Sequence, residues 1–225
     1  MASPKIAIVI PAYNEEQTIG SVIQDLNENL ETVNYDVIIV NDYSKDNTSN
    51  IAGDLGVEVI CLTSNHGYSK AIEIGMNHVL DKDIYDYILT MDADGQHSGM
   101  SVSQLLAYTK DNSLGLIIGE RQEYARFSEK IYGLVYFRAF GIKDPLSGLK
   151  LYSTSEYKKI RLFETYDSIG TELMTRFVLK GVKFKTIPIV VRERLDEPRF
   201  GRGIKVNLRI LSSLIKSLQY IIKHK

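Results

Sequence analysis

The sequence predicts an α/β protein built on a mostly parallel sheet flanked by helices. Three observations predict it. Short apolar runs recur at strand length, segments of helical period separate the first four of them, and polar turn-forming clusters follow them. That order of elements is the βαβ pattern of a doubly wound sheet, whose ligands bind beyond the carboxyl ends of the strands.

The strands are KIAIVI (5–10), YDVIIV (35–40), VEVICL (57–62), DYILTM (86–91) and LGLIIG (114–119). They are β-branched and continuous rather than alternating, so both faces are covered, and they are too short for helices. Pro11 is expected to end the first. Helical stripes follow in 15–30 (Ile19, Val22, Ile23, Leu26, Leu30) and in 69–80 (Ala71, Ile74, Gly75, Val79), with Asn14 or Glu15 as cap of the first. Further on, 128–140 and 168–181 read as helices, the second closed by Gly181. VKFKTIPIVV (182–191) alternates and carries Pro188, as an edge strand does.

Residues 204–223 form a basic amphipathic helix. Ile204, Leu208, Leu211, Ile215, Leu218 and Ile222 recur at 3–4 spacing, with Lys205, Arg209, Lys216 and Lys223 on another face. Three partners suit it: its own domain, an anionic membrane surface, or another subunit of a homo-oligomer. One domain over 1–203 with this helix (204–225) appended is the expected organisation, since 225 residues hold one sizeable core.

Composition narrows the class. The chain is 44% apolar and 24% charged, with a net charge of −1. Residues 180–225 hold twelve Lys/Arg against three Asp/Glu, and the rest holds fifteen against twenty-five. A basic tail on an acidic body suits an anionic partner. The single cysteine, Cys61, lies in an apolar run and reads as a buried thiol in a reducing, cytoplasmic setting. The N-terminal run meets acids at once, so it reads as a strand and not a signal peptide. No run reaches the ~18 apolar residues of a membrane span.

The chemistry is concentrated in LTMDADGQH (89–97). Asp92 and Asp94 follow a buried strand one residue apart, so both carboxylates point to the same spot. Two such anions repel unless a hard divalent cation, Mg²⁺ or Mn²⁺, lies between them and a phosphate. Gln96 adds an oxygen nearby. An Asx turn in which the acids cap the next helix is the structural alternative. His97 adjoins the acids but reads as a neighbour rather than a ligand.

The other strand ends are polar too. Tyr13 offers a ring for stacking, Asp42 an acceptor for a base N–H, Gly67 close approach, and Lys70 a positive charge. Together they make the rim of a nucleotide pocket. No G-x-G-x-x-G, phosphate-loop lysine motif, zinc spacing or G-x-S-x-G is present.

VIPAYNEEQTIG, NDYSKDNT, NHGYSKAIEIG, MDADGQH, GERQEYAR and DPLSGLKLYS occur in the order seen in family 2 glycosyltransferases of the GT-A (Rossmann-like) fold. The sequence most resembles the branch that includes dolichol-phosphate mannose synthase and the polyprenyl-phosphate sugar transferases. The resemblance covers residues 5–205. It implies that Pro11, Ala12, Tyr13 and Glu15 hold base and ribose, with Asp42 on the base. It also implies that Asp92, Asp94 and Gln96 hold metal and donor diphosphate, with Ala93 against the nucleotide sugar. Arg121 and Arg126 match positions facing the acceptor phosphate, and Ser147, Gly148 and Leu149 match the acceptor loop. Glu172 matches the acid of the following helix. Pro188 and Arg194 match a strand and loop whose arginine reaches phosphates. Asn41 and Tyr43 depart from the family's V-D-D-G, and the R-x-x-G-x-S-K ending is stretched around Arg199, Arg202 and Lys205.

The resemblance implies a metal-dependent, inverting transfer of one sugar from a UDP- or GDP-linked donor. Chain extension is disfavoured, because Q-x-x-R-W is missing and the chain has no Trp. A polyprenyl phosphate acceptor needs no base. A hydroxyl acceptor on a glycan or protein does, with Asp144 or Glu172 as candidates. The alternatives from other classes are a nucleotidyltransferase, which PAYNEE disfavours, and a catalytically silent binding subunit. No nucleic-acid partner is expected. With a lipid acceptor the enzyme is expected to work peripherally at the cytoplasmic membrane face.

Overall fold

The computed structural model describes residues 3–111, 113–124, 126–166, 168–193 and 204–224. The elements run β1 (Ile6–Ala12), α1 (Ile19–Asn29), β2 (Tyr35–Asn41), α2 (Thr48–Asp54), β3 (Glu58–Cys61), α3 (Tyr68–Lys82), β4 (Tyr87–Thr90) and α4 (Gly99–Leu106). After a 3-10 turn at Ala107–Lys110 come β5 (Leu116–Arg121), α5 (Phe127–Phe140), β6 (Lys150–Ser153), α6 (Thr154–Tyr157), α7 (Thr171–Leu179), β7 (Phe184–Ile189) and α8 (Ile204–His224).

The seven strands form one sheet in the order β3-β2-β1-β4-β6-β5-β7. β6 runs antiparallel to both neighbours, β4 and β5, and every other pairing is parallel. All seven residues of β1 are buried. Ala7 and Val9 pack in the layer that holds α3, α5, α7 and α8, while Ile6, Ile8 and Ile10 pack against α1 and α4. A strand with apolar layers on both faces reads as a continuous run, which is why the sequence pattern was not alternating. α3 lies close on the sheet at Gly75, where a Cβ would stand 2.5 Å from Val9 Cγ1 and 2.8 Å from Val40 Cγ2.

Pro11 does not end β1 as expected; the strand continues to Ala12. β1 pairs with β4 only from Ile6 to Val9, but with β2 as far as Ala12. Ala12 C=O accepts from Asp42 N–H on the β2 side, so the missing Pro11 N–H falls on the side where pairing has already stopped. The parting of β1 from β4 opens a crevice at the point where strand order reverses.

Other expectations also shift. β7 is an edge strand, as its Pro188 and alternation predicted. α2, α4, β6 and α6 were not foreseen. Cys61 is exposed at the end of β3, an edge strand, and is not a buried thiol. The expected α8 stripe is split: Leu211 and Leu218 are half-buried, Leu218 against the core, while its other described members face outward. Leu214 and Ile221 are buried with Ser213 and Ser217, whereas Leu208, Ile215 and Ile222 are 60%, 57% and 79% exposed. The reason is tertiary: Tyr136 on α5 needs polar company, and its hydroxyl bonds Thr175 of α7 and Ser217 of α8. Of the three partners considered for α8, its own domain takes one face.

Candidate active site

The antiparallel course of β6 explains why distant segments share one rim. Parallel strands deliver the loops that follow them, whereas β6 delivers the loop that precedes it. The rim therefore collects Tyr13–Glu16, Asp42–Asp46, Ser64–Gly67, Asp92–His97, Arg121 and Asp144–Leu149.

The acids after β4 sit at the crevice. Asp92 Oδ1 accepts a 2.7 Å hydrogen bond from the Tyr68 hydroxyl. Burial, and next the Asp92 charge, push the Tyr68 phenol well above its ordinary value, so it stays a donor. Asp92 Oδ2 lies 3.9 Å from His97 Nδ1, and His97 is 4% exposed. Asp94 is nearly buried and accepts from Gln96 N–H at 3.1 Å across Gly95, which has φ +77°. This is the Asx turn, but the acids do not cap the next helix. Ser98 does, accepting from Ser101 N–H at 3.1 Å.

The loop before β6 closes on these acids. A Cβ on Gly148 would lie 2.7 Å from Asp92 Oδ2 and 2.9 Å from Oδ1. Only glycine lets the backbone approach the carboxylate that closely. Thr90 Oγ1 donates to Gly148 C=O at 2.9 Å, and Ser147 is fully buried with its hydroxyl accepting from Leu149 N–H at 3.3 Å. Lys150 Nζ, also buried, donates to the carbonyls of Ser147 and Ile169. Burial lowers its pKa to about 8.

Arg121 and Arg126 stand beside this loop as parts of an ion-paired cluster. Arg121 Nε and Nη2 hold Asp144 at 2.7 and 3.0 Å, and Arg126 Nη1 holds Glu129 at 2.6 Å. Burial works to lower the Arg121 pKa, but Asp144 and Glu129 hold it above its ordinary value. Asp144, one of the two candidate bases, is 1% exposed and bidentate to Arg121. Glu172, the other, is engaged likewise. Its Oε2 accepts from the Thr165 N–H and hydroxyl, and its Oε1 from Arg176 Nε and Nη2. Both acids are fixed by partners that their own chain supplies within a few residues or across the rim.

On the other side of the crevice, Asp42 is buried and accepts from His66 N–H at 2.7 Å and Gly67 N–H at 2.8 Å. It shapes the loop into α3, where Gly67 adopts φ +84°. Glu15 is buried, its N–H bonded to Thr48 Oγ1 and its carboxylate to the Thr18 hydroxyl. Pro11 and Ala12 line the end of β1, and Ala93 is buried between the acids. Tyr13 is exposed on the rim. Lys70 pairs with Glu73 along α3. The loops after β1 and β2 are laced together by Asn14 to Ser44 and Lys45 and by Glu16 to Asp46 and Asn47. A cleft of about 400 Å³ lies between them, lined by Asn14, Glu16, Gln17, Lys45 and Asp46. Arg194, Arg199 and Arg202 lie outside the described residues.

Sequence reading missed Tyr68, Glu129 and Lys150. Arg126 and Glu129 at i, i+3 carried a helical pairing signal. The other two carried none, since only the sheet brings them to the rim.

Fold and rim define the class: an open α/β domain with paired carboxylates and ion-paired arginines at the carboxyl ends of its strands. The chain belongs to glycosyl transferase family 2, whose profile matches residues 7–178. It is 25% identical over 94% of its length to a dolichol-phosphate mannosyltransferase of Pyrococcus furiosus, and spans 64% of that protein. It is 30% identical over 70% of its length to a UDP-N-acetylglucosamine–dolichyl-phosphate N-acetylglucosaminyltransferase of Methanococcus voltae, spanning 73% of it. The fold matches glucosyl-3-phosphoglycerate synthase of Mycobacterium tuberculosis, solved with Mn²⁺ and UDP-glucose, at a TM-score of 0.75 and 20% identity, covering 96% of this chain and 78% of that one. The GT-A fold and a family 2 glycosyltransferase domain are thereby established.

Proposed function

We propose that this chain transfers a single sugar, with inversion, from a nucleoside-diphosphate donor to the phosphate of a polyprenyl lipid, with Mg²⁺ or Mn²⁺. The observation that carries the reading is the Asp92–Asp94 pair where β1 and β4 part, with Gly148 packed against Asp92. The family membership and the dolichyl-phosphate relatives support it.

The residues fit a hard divalent cation. Asp92 and Asp94 would supply carboxylate oxygens, and Gly148 lets the acceptor loop pack directly against Asp92. Among the described residues no group of three or more His, Cys, Asp or Glu side chains could hold an ion. Phosphate oxygens of a bound donor would complete the ligand set, as is usual for Mg²⁺. When bound, such an ion neutralises charge growing on the leaving diphosphate.

The chain's own residues do the rest. Tyr68 fixes the Asp92 carboxylate. Pro11, Ala12, Tyr13 and Glu15, with the Asp42-braced loop at Gly67, frame the nucleoside. Arg121 and Arg126 are held by Asp144 and Glu129 beside the acceptor loop of Ser147 and Gly148, where guanidinium groups suit a phosphate. The pairing of Asp144 and Glu172 favours the lipid phosphate over a hydroxyl acceptor. A phosphate oxygen attacks as an anion and needs no base, while the two carboxylates offered as bases are engaged.

The test is Asp94→Ala assayed for sugar transfer to polyprenyl phosphate and to sugar hydroxyls, with UDP- and GDP-linked donors. Transfer to the phosphate is expected to fall about 100-fold, and the Mn²⁺-dependent rise in melting temperature with nucleotide is expected to vanish. Unchanged transfer, or transfer to hydroxyls alone, refutes the reading.

A further inference from the structure

We infer that the outer face of α8, together with that of α5, docks on an anionic lipid surface. This deepens the lipid-acceptor reading by assigning the surface, and it is argued from the surface alone.

α5 and α8 run side by side in the same direction. Near one end the Ser128 hydroxyl bonds Asn207 Oδ1 at 2.6 Å, and further along the Tyr136 hydroxyl bonds Ser217. Those contacts put Phe127 level with Leu208, and Leu134 level with Ile215. All four are more than half exposed, Phe127 at 75%, as is Ile222 one heptad further on. Leu208, Ile215 and Ile222 are spaced by seven, so they form one stripe along the helix.

The charge pattern selects the partner. α8 contains no Asp or Glu, and Arg209, Lys216 and Lys223 each follow a stripe residue by one position. That places a basic ridge about 100° round from the apolar one. Long basic side chains beside a shallow apolar stripe suit a bilayer interface, where their heads reach phosphates while the stripe enters the acyl boundary. Lys216 and Lys223 also line a cleft between α7 and α8, with the ion-paired Arg176 and Glu172. A second copy of the chain fits less well, because α8 has no Asp or Glu with which to meet the ridge. No helix among the described residues is long and apolar enough to cross a membrane, so contact here is in the plane of the surface.

The test is flotation of the full chain with phosphatidylcholine vesicles, with and without about one-third phosphatidylglycerol. No donor or acceptor is present, so failure here leaves the transferase reading standing. The parent is expected to float with the anionic vesicles only. A Leu208→Ser, Ile215→Ser, Ile222→Ser variant is expected to bind about tenfold more weakly. An Arg209→Gln, Lys216→Gln, Lys223→Gln variant is expected to lose the preference for anionic lipid, and it decides the matter if the first variant misfolds by circular dichroism. A parent that stays unbound overturns the inference. So do variants that float like the parent, or a dimer that the first variant splits while vesicles bind neither form.

Discussion

Gly148→Ala probes how the fold sets the Asp92 carboxylate. A methyl group there would stand 2.7 and 2.9 Å from the two carboxylate oxygens, too close for a Cβ contact. The loop cannot retreat cheaply, because Thr90 holds the Gly148 carbonyl and Ser147 and Leu149 are fully buried. Asp92 must therefore turn and lose the 2.7 Å bond from Tyr68. Such a bond to a charged group contributes about 1.5–3 kcal/mol, so the variant should lose about 2 kcal/mol, or roughly 5 °C of melting temperature in a chain of this size. Donor turnover should fall about 100-fold, because a displaced carboxylate misplaces the diphosphate. Thermal melts and donor-turnover assays measure both. In a Tyr68→Phe background, where the bond is already gone, the same substitution should cost less stability. A variant that melts and turns over like the parent, or that costs the same in both backgrounds, refutes the reasoning.

Two further predictions concern the buried charges. Arg121→Ala should destabilise by about 3 kcal/mol in urea, since it leaves Asp144 buried without its cation, and adding Asp144→Asn should recover much of the loss; a single variant as stable as the parent sinks this. For Lys150, burial lowers the pKa to about 8 from an ordinary 10.5, so between those pH values the unfolded chain holds more protons and unfolding becomes harder as pH rises. The parent should gain up to about 3 kcal/mol on Lys150→Met across that window, and a constant difference between the two would contradict it.

Much of the framework was legible because its signals are local. Continuous β-branched runs located the first five strands, and Ile19, Val22, Ile23 and Leu26 marked the buried face of α1. α2 stayed hidden because only Thr48 and Ala52 are buried, too few for a stripe. β6 stayed hidden because it is four residues long and opens on Lys150, a residue type that rarely lies in a core. α8 was found, but which of its sides is covered was not legible, since both carry leucine and isoleucine at helical spacing.

By itself, then, the sequence determined a mostly parallel α/β sheet, an acid pair at the end of a central strand, and membership of a glycosyltransferase family. Only the tertiary structure decided which polar groups meet, Tyr68 with Asp92 and Arg121 with Asp144, and which side of α8 is covered. Strand and helix periods depend on neighbours along the chain. Pairing across the rim depends on one antiparallel strand that carries a distant loop to the acids, and nothing in local sequence records it.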